Sequence, residues 1–74
     1  MTQCERVLQY MQDFGSINPM QALGDLDCYR LGARIYDLRQ GGHHITRRMV
    51  SAKNRYGESV SYAEYRLEEM NNEY

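Results

Sequence analysis

The sequence predicts an α+β domain in which three helices are followed by a C-terminal β-hairpin. Apolar residues recur at helical spacing through residues 3–40, and turn residues interrupt that spacing at two places. Further on, an N-R-Y-G turn separates two strand-like runs. A chain of 74 residues buries only roughly 60% of its unfolded surface, so little core is to spare.

The first helix is expected at residues 3–13. Thr2 and Glu5 form a capping box, in which each side chain binds the backbone N–H of the other residue. Gly15 ends the helix, and residues 16–18 form a short extended connector. The buried face has four residues at helical spacing: Cys4, Val7, Leu8 and Met11.

A short second helix follows the connector. Asn18 is its expected N-cap, and Pro19 is its first residue, where the missing N–H costs nothing. We expect this helix to point Met20 and Leu23 toward the core and to stop at Gly24.

The third helix is expected at residues 28–40, after a four-residue turn at 24–27. In that turn Leu26 is expected to be buried and Asp27 to cap the third helix. The glycine pair at 41–42 terminates it. A narrow apolar stripe forms its buried face: Cys28, Leu31, Ile35 and Leu38.

The hairpin's register follows from its turn. Asn54 and Gly57 fit a type I turn with a left-handed glycine, which pairs Asn54 with Glu58 and fixes the other pairs. One face then holds Ile45–Leu67, Arg47–Tyr65 and Met49–Ala63, and the other holds Arg48–Glu64, Val50–Tyr62 and Ala52–Val60. The first face holds most of the apolar residues near the open end of the hairpin, so that end is expected to pack on the helices. The expected domain covers residues 1–67, and the acidic run at 68–74 is expected to be a frayed tail.

Charge is distributed unevenly along the chain. Residues 30–55 hold seven basic side chains and one acid, a net charge of +6, whereas the rest of the chain sums to −7. A net charge of −1 therefore conceals a basic region over the third helix and the hairpin. Duplex nucleic acid selects such a surface, although charge asymmetry alone does not establish the function.

The predicted order of helix, short strand, helix-turn-helix and hairpin is that of a winged helix-turn-helix. The second helix of a helix-turn-helix enters the major groove, and the hairpin lies beside it as a wing that reaches phosphates or the minor groove. The expected DNA-binding residues are Tyr29, Arg30, Ala33, Arg34, Arg48, Lys53, Arg55 and Tyr56.

Several of these cations have competing partners within the chain. Lys53 and Arg55 at the wing tip have none, so we expect them on phosphates. Arg39 near the helix C-terminus and Arg47 on the packed hairpin face are assigned structural roles. Three alternatives stay open: Arg30 with Asp27, Arg34 with Asp37, and Arg48 with Glu64.

The chain resembles a family of small helix-turn-helix domains encoded by phages and prophages, over nearly its whole length. The most specific segments are A-R-I-Y-D-L-R at 33–39, the G-H-H-I stretch at 42–45 and the N-R-Y-G turn at 54–57. The family commonly has Gly where Asp27 stands and a small non-glycine residue where Gly32 stands. The resemblance implies a winged helix that binds DNA, without naming a target sequence.

These observations predict a DNA-binding protein of a phage or mobile element, either a small transcriptional regulator or a recombination or architectural factor. The alternative is an inhibitor or adaptor whose basic face binds an acidic surface of a host protein complex. Double-stranded DNA is the expected partner. So small a monomer makes few phosphate contacts, so we expect specific binding to need a homodimer or tandem sites.

No catalytic residue, metal site or cofactor is expected. Cys4 and Cys28 form no CxxC pair, and His43 and His44 lie in a loop without a carboxylate pattern to orient an imidazole. No apolar run is long enough for a membrane span or a secretory signal. We therefore expect a non-enzymatic protein in the host-cell cytoplasm.

Overall fold

The computed structural model describes residues 2–68. Its elements in chain order are α1 (Gln3–Phe14), β1 (Ser16–Ile17), α2 (Pro19–Leu26), α3 (Leu31–Gln40), β2 (Ile45–Lys53) and β3 (Ser59–Leu67). The three strands form one antiparallel sheet in the order β1-β3-β2. This arrangement confirms the predicted α+β fold of a winged helix-turn-helix.

Most of the expected tail lies outside the described residues. At its start, the backbone N–H of Glu68 donates to the carbonyl oxygen of His44 at 2.8 Å, so this residue is still joined to the domain. The boundary expected at residue 67 and the fraying of residues 69–74 stay predictions.

The capping box at the start of α1 is present as predicted. Thr2 Oγ1 accepts the N–H of Glu5 at 3.1 Å, and Glu5 Oε1 accepts the N–H of Thr2 at 2.7 Å. The backbone hydrogen bond from Thr2 holds the pKa of Glu5 below its ordinary value of 4.5. The stability that this carboxylate adds is therefore present above that value and is lost as the pH falls through the lowered pKa. Gly15 ends the helix at φ 90°, a backbone conformation that glycine adopts without strain.

α2 is longer than expected and presents a different face to the core. It continues through Gly24 to Leu26, so residues 24–26 are helical rather than a separate turn. Ala22 is fully buried, whereas Met20 and Leu23 are 73% and 44% exposed. The prediction that Met20 and Leu23 point inward is therefore wrong. Leu26, one turn after Ala22, is partly buried against the core as expected.

Asp27 ends α2 and does not cap α3, which corrects the sequence prediction. Its φ of 54° is left-handed, and its N–H donates to the carbonyl of Leu23 at 3.1 Å, as in a helix C-cap. α3 accordingly begins at Leu31, with Arg30 as an N-cap that makes no side-chain capping bond. The left-handed backbone also explains why the resembling family has Gly at this position, since Gly and Asp both tolerate it.

The predicted core is confirmed, with additions. Buried at its centre are Val7, Met11, Leu31, Ile35, Leu38 and Ile45, with Leu8 and Leu67 partly buried against them. Ile17 and Ala22 join this core without having been predicted. Ile17 lies in β1, which pairs with β3 opposite Tyr65. A two-residue strand thus fastens the sheet to the helices.

The hairpin has the predicted turn and register. The N–H of Asn54 donates to Glu58 O, and the N–H of Gly57 donates to Asn54 O, both at 3.0 Å. Gly57 is left-handed, with φ 78°. Every predicted pair between Ile45↔Leu67 and Ala52↔Val60 is present.

The cap of α2 provides a test of local stability. Asn18 Oδ1 accepts the N–H of Gln21 at 2.8 Å, and Gln21 Oε1 accepts the N–H of Asn18 at 3.0 Å. We expect Asn18→Ala to lower the free energy of unfolding by about 1 kcal/mol, which lowers the melting temperature by about 4–8 °C in a domain of this size. Asn18→Asp keeps the acceptor and is the control. Equal melting curves for both variants, recorded by circular dichroism, would contradict this role.

Candidate nucleic-acid interface

The segment between α2 and α3 places Arg30 at the surface. Because Asp27 ends α2 with a left-handed residue, Tyr29 and Arg30 precede α3 instead of lying on it. Both side chains are exposed, and within residues 2–68 that of Arg30 has no hydrogen bond or ion pair, so it does not pair with Asp27. Ala33, on the first turn of α3, is half-buried.

Arg34 is engaged with its own helix. Its Nη2 lies 3.4 Å from Asp37 Oδ2, one turn further along α3, so the competing intrahelical role is the one the structure shows. Its Nε is enclosed and has no partner among the described residues. The side chain remains one-third exposed. Such a pair adds little to stability, but it removes Arg34 from the count of free cations.

Arg39 joins the end of α3 to the start of β2. Its Nε and Nη2 both donate to the carbonyl oxygen of Ile45, at 3.1 and 2.9 Å. This is a structural role, as expected, through a specific contact with the next element in addition to the helix dipole. The sequence predicted the role without the partner.

Two arginines in the middle of β2 differ in their partners. Arg48 Nε lies 2.9 Å from Glu64 Oε1 across the hairpin, which confirms the pair predicted from the register. Arg47 shares a face with Tyr65 but is exposed. Its Nη2 lies 3.5 Å from Met49 Sδ. Arg47 therefore lies over the hairpin surface and is not enclosed in the core.

The wing tip presents two cations and an aromatic ring to solvent. Lys53, Arg55 and Tyr56 are all exposed, and within residues 2–68 neither cation has a carboxylate partner. Asn54 explains why: its Nδ2 donates to Glu58 Oε1 at 2.9 Å, which holds the nearest acid of the turn on the amide. Its Oδ1 accepts the N–H groups of Tyr56 and Glu58 at 2.9 and 3.0 Å, which stiffens the turn.

The structure thus divides the eight predicted site residues into two classes. Arg34 and Arg48 are paired within the chain, and Ala33 is half-buried. Five are exposed at the start of α3 and at the wing tip: Tyr29, Arg30, Lys53, Arg55 and Tyr56. Contact with DNA by any of them stays a prediction.

Sequence reasoning overlooked two exposed residues of α3. Tyr36 is 62% exposed, and Gln40, one turn later, is also exposed. Neither side chain has a hydrogen bond within the described part of the chain. The apolar stripe at Leu31, Ile35 and Leu38 indicates both, because residues 36 and 40 lie on the opposite side of a 3.6-residue helix.

Residues 2–68 were also compared with the requirements of a metal site, a membrane span and a ligand cavity. No group of three or more His, Cys, Asp or Glu side chains in this range is placed to hold a metal ion. None of the helices described is long and apolar enough to cross a bilayer. A groove of about 530 Å³ lies between α2 and the outer half of the hairpin, with Met20, Val60 and Tyr62 in its lining.

Comparison with known proteins agrees with the observed architecture. A family model described as a winged helix-turn-helix domain matches residues 2–70, which is nearly the whole chain. No curated protein and no solved structure matches it.

Proposed function

Because the chain belongs to the winged helix-turn-helix family, we propose that it binds duplex DNA through α3 and the wing tip. The observation that carries the proposal is a set of exposed cations within the basic region, residues 30–55, that lack partners among the described residues. These cations are Arg30, Lys53 and Arg55. They remain after the intramolecular pairs are removed from the basic region, and phosphate is the ligand that suits them.

The proposed contacts divide between the two elements. The major groove, about 12 Å wide, admits a single α-helix, and α3 is the second helix of the pair. Arg30 at its start then meets the DNA backbone or a base edge. Lys53 and Arg55 meet the phosphates beside the groove or enter the adjacent minor groove.

Membership of the family does not define a biological role, so we propose one in addition. The resemblance at 33–39 and 54–57 supports a protein of a phage or mobile element, acting in the host-cell cytoplasm as a small transcriptional regulator or as a recombination or architectural factor. The three free cations of residues 30–55 make few phosphate contacts, which favours a homodimer or tandem sites for specific binding.

Salt dependence tests the proposal directly. Three neutralised phosphates give a plot of log affinity against log salt concentration with a slope of about −2.7. Fluorescence anisotropy of a labelled duplex at several salt concentrations measures this slope. We expect Arg30→Ala to make the slope less steep by about 0.9. Arg6→Ala, an equal loss of charge at an exposed position of α1, is the control and leaves it unchanged.

Two results would contradict DNA binding. One is a slope near zero, and the other is the absence of binding even at low salt. If the protein instead captures an acidic host protein after nuclease treatment, the inhibitor or adaptor becomes the better description.

A further inference from the structure

We propose that α3 reads DNA through a line of uncharged side chains, Ala33, Tyr36 and Gln40, and that this line selects a short sequence of A·T pairs. The inference rests on the proposed function. It concerns which residues of α3 choose the sequence and which bases they choose. It moves sequence selection away from the arginines, whose guanidinium groups favour guanine.

The cations within α3 are occupied by the fold. Arg34 lies against Asp37, and Arg39 donates twice to the Ile45 carbonyl. A bidentate contact with guanine needs the donors of one guanidinium free and aimed outward. These contacts direct the Arg39 guanidinium toward Ile45 and the Arg34 guanidinium toward Asp37, although each group keeps further N–H donors.

Other elements approach α3 on two flanks, although Gly32 and Asp37 on these flanks are themselves exposed. On one flank, a Cβ on Gly32 would lie 4.0 Å from the hydroxyl of Tyr65 in β3. On the other flank, Cys4 Sγ of α1 lies 3.9 Å from Asp37 Oδ2. Successive residues of an α-helix are about 100° apart around its axis. The strip between these flanks, opposite the buried stripe, therefore holds residues 33, 36 and 40.

Two of the three side chains on this strip are exposed, whereas Ala33 is half-buried. Tyr36 exposes 62% of its surface, Gln40 is exposed, and neither side chain makes a hydrogen bond within residues 2–68. From Ala33 to Gln40 the rise is about 10 Å at 1.5 Å per residue, which matches about three base pairs at 3.4 Å each. The strip therefore has the length of a short base-reading surface.

The chemistry of the three side chains indicates the bases. A glutamine amide offers one acceptor and two donors, which match N6 and N7 of adenine in a bidentate contact. The methyl group of Ala33 and the apolar ring of Tyr36 suit the C5-methyl group of thymine. With no Arg or Lys on the strip, guanine lacks the side chains that usually bind its O6 and N7 in a bidentate contact. An adenine opposite Gln40, with thymine about two base pairs away opposite Tyr36, is the expected pattern.

Exchanging Gln40 for arginine tests the assignment. In a selection from random duplexes, the wild type is expected to enrich a motif with adenine at one position. Gln40→Arg is expected to replace that adenine with guanine and to change the ratio of the two affinities by roughly five- to 150-fold. Tyr36→Ala is expected to lose the thymine preference and to keep the adenine. Gln12→Arg adds the same charge at an exposed position of α1 and is the control, with the wild-type motif retained.

The possible outcomes distinguish failure of this inference from failure of the proposed function. If the wild type binds duplex DNA with the expected salt dependence but Gln40→Arg keeps the adenine, the inference is overturned and the proposed function stands. Enrichment of no motif by the wild type has the same meaning. If the wild type does not bind duplex DNA, both are overturned. Circular dichroism of each variant confirms that a lost preference does not reflect a lost fold.

Discussion

Replacing Ile35 with alanine is expected to lower the free energy of unfolding by about 2–5 kcal/mol. Ile35 is 1% exposed and lies in the middle of the buried stripe of α3, which packs chiefly against α1. Small domains have a total stability of only about 5–15 kcal/mol. The loss is therefore a large fraction of the whole, and urea denaturation measures it.

Tyr36→Ala is the matched control for Ile35→Ala. It removes a larger side chain from the next position of α3, but that side chain is mostly exposed, so a change within about 0.5 kcal/mol is expected. Equal midpoints for Ile35→Ala and the wild type would mean that the buried face of α3 is wrongly assigned.

Reversing both charges at the wing tip is expected to have the largest effect on DNA binding. At 0.1 M salt each phosphate contact contributes about eightfold through counterion release, so losing two contacts weakens binding on the order of 60-fold. Lys53→Glu with Arg55→Glu also places carboxylates near phosphates, which increases the loss. Because these contacts are with the backbone, all sequences are expected to weaken about equally.

The neutral double variant, Lys53→Gln with Arg55→Gln, separates lost attraction from added repulsion. Its affinity for DNA is expected to lie between that of the wild type and that of the double charge reversal. Both positions are exposed, so the fold is expected to remain intact. Unchanged affinity in a folded double reversal would remove the wing from the interface. A changed base preference would instead assign the wing a reading role.

The hairpin and α1 were predictable because each contains a local sequence motif with a single structural interpretation. Asn54 and Gly57 fix the turn, and the turn fixes the register of the whole hairpin. Thr2 and Glu5 likewise define the start of α1. In both places a few local backbone hydrogen bonds decide the outcome, and they depend on residues close together in the sequence.

The junction of α2 and α3 was predicted wrongly because Asp27 has two meanings. Aspartate is a common N-cap and is also tolerated in the left-handed conformation that ends a helix. The sequence favoured the first, and the structure has the second. The choice determines whether Tyr29 and Arg30 lie on the helix or before it.

The candidate site was predictable as a region but not as a set of free charges. The basic segment does contain α3, β2 and the two cations of the wing tip. However, the Arg39 contact with Ile45 depends on how the next strand folds back. The net charge counted along a sequence therefore exceeds the number of charges that are free to bind a ligand.

The short β1 strand has a consequence for the order of folding. The hairpin and each helix form from contacts close in sequence, within microseconds in isolated elements. The pairing of Ile17 with Tyr65 instead closes a loop over most of the domain, and such closure carries an entropic cost before its contacts compensate. We therefore expect this pairing to form after the hairpin and the helices, so that the proposed DNA-binding surface is complete only once the two ends of the domain have met.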